Sequence, residues 1–520
     1  MTDQNDTPAG PTGETRMLID GELVPAASGK QFDNVNPATE DVLGQVADAG
    51  HEDMDRAIGS ARRAFDETDW STDKKFRQRC LAQLQDALEE EHELLRAELV
   101  AEVGTPVLLT YGPQLDAPLA EGLTWPARFI DEFPWERDLP EGTAFGTRSW
   151  RKVVKEAVGV VAAIVPWNYP FEVTINKLGQ ALATGNSVIL KAAPLTPWNA
   201  TRIGRLVAEK TDIPAGILQV VTTSDNTVAE DLITDPRVDL VSFTGSTAVG
   251  RRIMEKGAPT LKRLFLELGG KSADIVLEDA DFAAKLSMAW TVCVHGGQGC
   301  VMLTRMLLPR SRYDEGIAAM EEGFRTMAYG DPTDASNLQG PQISAAQRQR
   351  VLDLIESGVD EGARVVVGGG RPAHLDKGFY VEPTLIADVD NSMRIAQEEI
   401  FGPVLVVVPF EDDDDAVRIA NENQYGLGCG VTSGSEERAL SVARRIRAGT
   451  ASVNGGGVVR SRCPLWWLQG QRRRQAERAG GIRAVHGDQD DRRRVATTIP
   501  IVRTRTVRSS KRPPSKRRTQ

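Results

Sequence analysis

No apolar run in this 520-residue chain approaches the ~20 residues that a membrane-spanning helix requires, so a transmembrane helix is excluded. Cysteine is sparse: five residues, Cys80, Cys293, Cys300, Cys429 and Cys463, odd in number and irregularly spaced. That spacing excludes a disulfide framework and points to reduced thiols, one of which is free to be a nucleophile. The five histidines are scattered singly, and the chain has neither a Cys-x-x-Cys nor a His-x-x-x-His pair, so no metal site is expected. The first 16 residues, MTDQNDTPAGPTGETR, lack both a basic start and an apolar stretch. They read as a disordered leader and not as a secretory signal, and a cytoplasmic location is expected.

What the chain does have is enough length for two to four units at roughly 150 residues each. Its charge is split unevenly. Residues 458–520 hold 18 Lys and Arg against 4 Asp and Glu, and the residues before them hold 44 against 69. The acidic body repels polyanions, while the basic tail would attract them, so the two parts imply different partners. The tail lacks the interleaved aromatics of a nucleic-acid surface, apart from Trp466 and Trp467, and no nucleic-acid partner is expected.

Residues 17–48 alternate apolar and polar side chains between turn signals and read as short strands. Helical spacing follows near 51–66 and 74–103. From about 157 the texture becomes short β-branched runs, VGVVAAIVP, NSVILKA and GILQVV, separated by helical stretches. This is the pattern of buried parallel strands in βαβ units, and the expected class is α/β with two such domains. LELGGKSADIVL, TRMLLP, ARVVVGGG and VLVVVPF read as the second domain's strands, with a helix at 345–357. TAFGTRSWRKVVKEAVG alternates like an exposed antiparallel arm.

Several segments carry chemistry. FTGSTAVG, at 243–250, closes a strand and opens a helix, placing Gly245, Ser246 and Gly250 where backbone N–H groups suit a pyrophosphate. It is not the Gly-x-Gly-x-x-Gly fingerprint, and alone it reads as an ordinary turn. Asn168 in IVPWNYPF follows a buried strand, where a rigid amide can donate to a developing oxyanion; an Asx turn is the plainer reading. Lys191 ends the strand NSVILK, within reach of a ribose or phosphate, or simply solvated. Glu267, in LELGGKS, is a carboxylate in an otherwise apolar strand, where partial desolvation raises its pKa toward that of a base. Cys300, in HGGQGC, follows glycines that let a substrate come close; a buried structural thiol is the alternative.

In this order, PWNYP, ILK, FTGS, LELGGKS and GQGC resemble the aldehyde dehydrogenase superfamily. YGDP (329–332), GPQIS (340–344), GFYVEPTL (378–385), EEIFGPV (398–404), YGLGCGV (425–431) and GTASVN (449–454) extend the resemblance over about 17–454. It implies an NAD(P)-dependent oxidation of an aldehyde to a carboxylic acid. Cys300 would be the nucleophile, Asn168 and the Cys300 N–H the oxyanion donors, and Glu267 the base that activates the hydrolytic water. The resemblance assigns Pro166, Trp167, Lys191, Gly245, Ser246, Gly250, Leu268, Glu399 and Phe401 to the cofactor, NAD or NADP. It implies a cofactor-binding domain from 17–136 and 158–266, an oligomerisation arm at 137–157 and a catalytic domain at 267–454. A homodimer or homotetramer would follow if the C-terminal strand were intact. Phosphorylating chemistry is disfavoured, because its histidine partner cannot be His295, too near Cys300 in sequence to reach over it.

Three departures stand out. Pro194 occupies the place where NAD-preferring relatives carry a ribose-binding glutamate, Thr223 replaces a glycine, and His295 replaces a common Asn. The largest departure follows Asn454, where relatives continue Pro-Phe-Gly-Gly-x-Lys-x-Ser-Gly-x-Gly-Arg and this chain reads GGGVVRSRCPLWWLQGQRRRQ. Tryptophan has one codon, TGG, so Trp466-Trp467 followed by Leu468, read one base later, encodes Gly-Gly. Pro464-Leu465 and the residues after Leu468 shift to the rest of the family pattern in the same way. We read this as a one-base frameshift between Asn454 and Pro464 that leaves a disordered basic tail over 455–520 and an arm without its partner strand. An inactive remnant that binds only nucleotide is the alternative function. Sequencing the coding DNA is expected to show a base gained or lost in that interval; an intact frame through codon 464 in the present register overturns the reading.

Overall fold

The structure, a computed structural model, describes residues 12–144, 147–455, 484–486 and 502–509. Residues 1–11 of the expected leader, the junction at 456–483 with Cys463, and most of the basic tail lie outside the described residues. Two mixed sheets carry the fold, in keeping with the expected α/β class. The first has five parallel strands in the order Arg263–Leu268, Leu240–Gly245, Val160–Ile164, Ser187–Lys191 and Leu218–Val221, with Met17–Ile19 and Glu22–Val24 added antiparallel. The three inner strands of this set are almost wholly apolar because helices cover both faces. Strand order reverses between Val160–Ile164 and Leu240–Gly245, and in such a sheet ligands bind beyond the carboxyl ends of the strands at that reversal.

The second sheet runs Arg364–Val367, Thr384–Ala387, Val404–Phe410, Arg305–Pro309, Ala273–Val276, Gly428–Thr432, Thr450–Val453 and Ala484–His486. LELGGKSADIVL, expected as strand in the second domain, is two strands in two sheets. Arg263–Leu268 pairs along its whole length with Leu240–Gly245 in the first sheet, and Ala273–Val276 lies at the centre of the second. The boundary expected at 266/267 thus falls inside a strand of the first sheet, and Gly269-Gly270 is the crossing between sheets.

Three expectations are corrected. The helix read over 74–103 is two, Lys74–Glu90 and His92–Val103, because Glu91 leaves helical geometry and its carboxylate binds Arg202 and Arg205. The leader's last residues are ordered: the Thr201 hydroxyl donates to the Glu14 carbonyl at 2.8 Å, and Ala47 N–H donates to Thr15 O at 2.9 Å. The arm, Glu136–Ala144 with Thr147–Ala157, is not left without a partner strand on its Thr147–Ala157 side. Val502–Ser509 from the tail pairs antiparallel with Trp150–Ala157, since an unpaired edge is a template for any extended backbone.

Gly297 stands at φ 70°, and a Cβ there would lie 2.0 Å from the Gly402 carbonyl oxygen. Gly297→Ala is therefore expected to cost about 1–3 kcal/mol, seen as a lowered thermal midpoint, while Gly112→Ala, with no contact closer than 3.8 Å, leaves it in place. Equal midpoints for the two would contradict this packing.

Candidate active site

The strand Val160–Ile164 ends at the sheet's reversal, and Pro166, Trp167 and Asn168 follow it before Pro170, at the first helical position, starts the helix Pro170–Ala183. Asn168 is buried there, 6% exposed, and its amide donates to Gln298 O at 2.8 Å. Gln298 belongs to the loop that carries Cys300, and its own amide and carbonyl are tied to His295 O, Pro341 O and the Ile343 N–H. The loop is shaped by three successive left-handed residues, His295, Gly296 and Gly297. Asn168 and Cys300 are thereby held on segments cross-linked by this hydrogen bond and by the 2.8 Å contact of His295 Nε2 with Asn168 O.

Glu267 lies opposite Thr244 in the parallel register, half-buried. Burial raises its carboxyl to about 7 against the smaller opposing pull of the Lys177 ammonium. Lys177, itself pushed down to about 7 by burial, donates to Ser242 Oγ at 2.8 Å. Burial pushes the Cys300 thiol up to about 12, and the carboxylates of Glu399, Glu267 and Glu172 add to the rise. Sulfur and carboxylates therefore share one desolvated neighbourhood. The other thiols of the described residues, Cys80, Cys293 and Cys429, are buried.

The residues assigned to a dinucleotide line the same end of the first sheet. Lys191 ends Ser187–Lys191, buried and lowered to about 8 by desolvation. Gly245 ends the next strand but one, Ser246 caps the helix Thr247–Gly257 by accepting from Val249 N–H, and the buried hydroxyls of Thr244 and Thr247 have no partner among the described residues. Unpartnered hydroxyls at a helix N-terminus fit a phosphate. Leu268 packs on Gly250, where a Cβ would lie 2.6 Å from its Cδ2. Glu399 accepts from Gly270 N–H at 2.9 Å, and the Phe401 ring meets Trp167 edge-on at 5.3 Å. These groups are of a kind that would hold a dinucleotide. Pro194 offers no side-chain acceptor for ribose hydroxyls, and Thr223 turns its hydroxyl onto Ala49 O at 3.0 Å.

Sequence reasoning missed Glu172, Lys177, Gln114 and Gln298. The signal for Glu172 was present: a lone carboxylate in the otherwise apolar start of a helix. It is half-buried, has no hydrogen bond or ion pair among the described residues, and burial raises it to about 7. Among the described residues no cluster of His, Cys, Asp or Glu could hold a metal ion, and no helix is long and apolar enough to cross a membrane.

A profile of the aldehyde dehydrogenase family matches residues 23–482. The chain is similar to a 3-succinoylsemialdehyde-pyridine dehydrogenase of a Pseudomonas species, 38% identical over 85% of this chain and 91% of the relative. It is equally similar, at 38%, to the geranial dehydrogenase of Castellaniella defragrans, over 84% of this chain and 90% of that one. Among solved structures, a Mycobacterium tuberculosis aldehyde dehydrogenase complexed with NAD+ superposes with a TM-score of 0.81 at 38% identity, covering 86% of this chain and 92% of that one. A Staphylococcus aureus betaine aldehyde dehydrogenase mutant in complex with NAD+ superposes at 0.86 and 28% identity, covering 98% of each chain.

Removing the Glu172 charge lowers the Cys300 pKa, because a carboxylate disfavours the thiolate. At pH 8 Glu172→Gln is expected to raise the rate of Cys300 alkylation by iodoacetamide severalfold, a one-unit shift being about tenfold. An unchanged rate would separate the two groups.

Proposed function

This chain belongs to the aldehyde dehydrogenase family, and on that footing we propose that it oxidises an aldehyde to a carboxylic acid with NAD or NADP, with Cys300 as nucleophile. The observation that carries the reading is the meeting of an amide donor, Asn168, a thiol, Cys300, and a carboxyl raised to about 7, Glu267, at the sheet's reversal.

Cys300 attacks the aldehyde carbon as the thiolate, giving up its proton to Glu267. The Asn168 amide, with one hydrogen on Gln298 O, has its second free for the oxyanion of the tetrahedral adduct, beside the Cys300 backbone N–H. Lys191, Ser246, Thr244, Glu399 and Phe401 would hold the dinucleotide. When bound, it supplies the hydride acceptor that converts the adduct to a thioester. Glu267, its proton passed on to solvent, takes a proton from water, and the hydroxide formed displaces the Cys300 sulfur and releases the acid. A carboxyl near 7 suits both halves of this cycle, since it both takes and releases a proton near neutral pH. His295 serves neither step as a base: burial lowers it to about 4, and Nε2 is engaged by Asn168 O.

A cytoplasmic location suits a free-thiol nucleophile. The remnant alternative gains no support, because the segments bearing all three groups are formed and interlocked. Absorbance at 340 nm with a panel of aldehydes tests the reading. Cys300→Ala is expected to abolish NADH production. Glu267→Gln is expected to give a burst of about one NADH per site and then turnover about 10²–10⁴-fold slower. A Cys300→Ala protein that turns over at the parental rate overturns the proposal.

A further inference from the structure

We propose that His295 is a positioning residue for the oxyanion donor: its imidazole N–H fixes the Asn168 main chain against the loop that carries Cys300. Nε2 of His295 lies 2.8 Å from Asn168 O. A carbonyl oxygen only accepts, so that nitrogen carries the hydrogen and Nδ1 is bare, without a partner among the described residues. Gln114 donates its side-chain amide to the same carbonyl at 3.0 Å, its nitrogen lying 3.2 Å from His295 Nε2, so both nitrogens converge on Asn168 O; the Tyr169 ring meets the imidazole edge-on at 5.2 Å. The imidazole is fully enclosed, 0% exposed, so water does not compete for Asn168 O.

The residue that bears this ring is itself immobilised. His295 N–H donates to Leu338 O at 2.9 Å, and its carbonyl accepts from the Gln298 amide at 3.0 Å. Its φ of 56° lies in the left-handed region, which histidine tolerates better than branched residues. Asn168 is thus held twice from one loop: its carbonyl by His295 and its side chain by Gln298, whose carbonyl accepts the amide. Two attachment points fix both the position and the orientation of the amide relative to the sulfur, where one would leave a hinge. This accounts for a histidine where the resemblance leads one to expect asparagine, whose amide ends one bond nearer the main chain and cannot reach as far.

The inference rests on the reading of Asn168 as oxyanion donor. H295L removes the donor and is expected to lower kcat tenfold to a hundredfold, with KM within about twofold, because the lost interaction acts on the transition state. H295Q, whose amide nitrogen is the same number of bonds from Cβ as Nε2, is expected to restore kcat to within a few fold. In an N168A background H295L should cost less than twofold more, since the effect passes through Asn168. Should H295L fail to fold, Q114M, which deletes the companion donor to the same oxygen, is expected to lower kcat severalfold at unchanged KM. A full-rate H295L, or an equal loss in the N168A background, overturns the inference. A parental protein that makes no NADH from any aldehyde counts against the proposed function instead. The positioning role is then judged by crystal structures of the parent and H295L: an Asn168 amide displaced from Gln298 O supports it, and an unmoved one overturns it.

Discussion

The proposed active site depends on two consecutive residues without side chains at the crossing between the sheets. A Cβ on Gly269 would lie 1.9 Å from a carboxylate oxygen of Glu399, and one on Gly270 would lie 2.7 Å from Cys300 O. Only a bare backbone lets the strand bearing Glu267 leave the first sheet, pass between Glu399 and the Cys300 loop, and enter the second sheet as Ala273–Val276. The same backbone is functional in itself, since Gly270 N–H binds Glu399. Glu267, the Cys300 loop and Glu399 are neighbours because this crossing is thin.

How much of this was legible in the sequence depends on how local the determinant is. The strands Val160–Ile164 and Ser187–Lys191 and the capped helix after Gly245 follow from β-branched runs and from Ser246, both short-range signals. The division of LELGGKSADIVL between two sheets was not legible, because pairing partners lie far away in sequence and a Gly-Gly reads equally as a turn. The break at Glu91 was hidden for the same reason: its cause is Arg202 and Arg205, more than a hundred residues on. The strand Val502–Ser509 was missed because apolar periodicity reports burial, while an open edge selects on backbone hydrogen bonds.

The proposed site residues Cys300, Glu267 and Asn168 were named by pattern, but the environment that tunes them was not legible. Glu172, Glu267 and Glu399 are each raised to about 7, and in each case burial is the largest cause. Desolvation is a property of the assembled interior, which no spacing rule reports. Lys177 and Gln114 likewise acquire meaning only once the helix Pro170–Ala183 and the segment before Leu115 close over the strand ends.

A thiol held near 12 is more than a poor nucleophile at rest. Peroxide and other oxidants attack thiolates, so a sulfur kept protonated by its surroundings is chemically quiet between turnovers. The burial that makes Cys300 hard to ionise, with the smaller push of three carboxylates, thus acts as a preservative, and reactivity is withheld until a bound molecule changes these surroundings. Cys300, half-buried as a residue, can await substrate without standing equally open to damage.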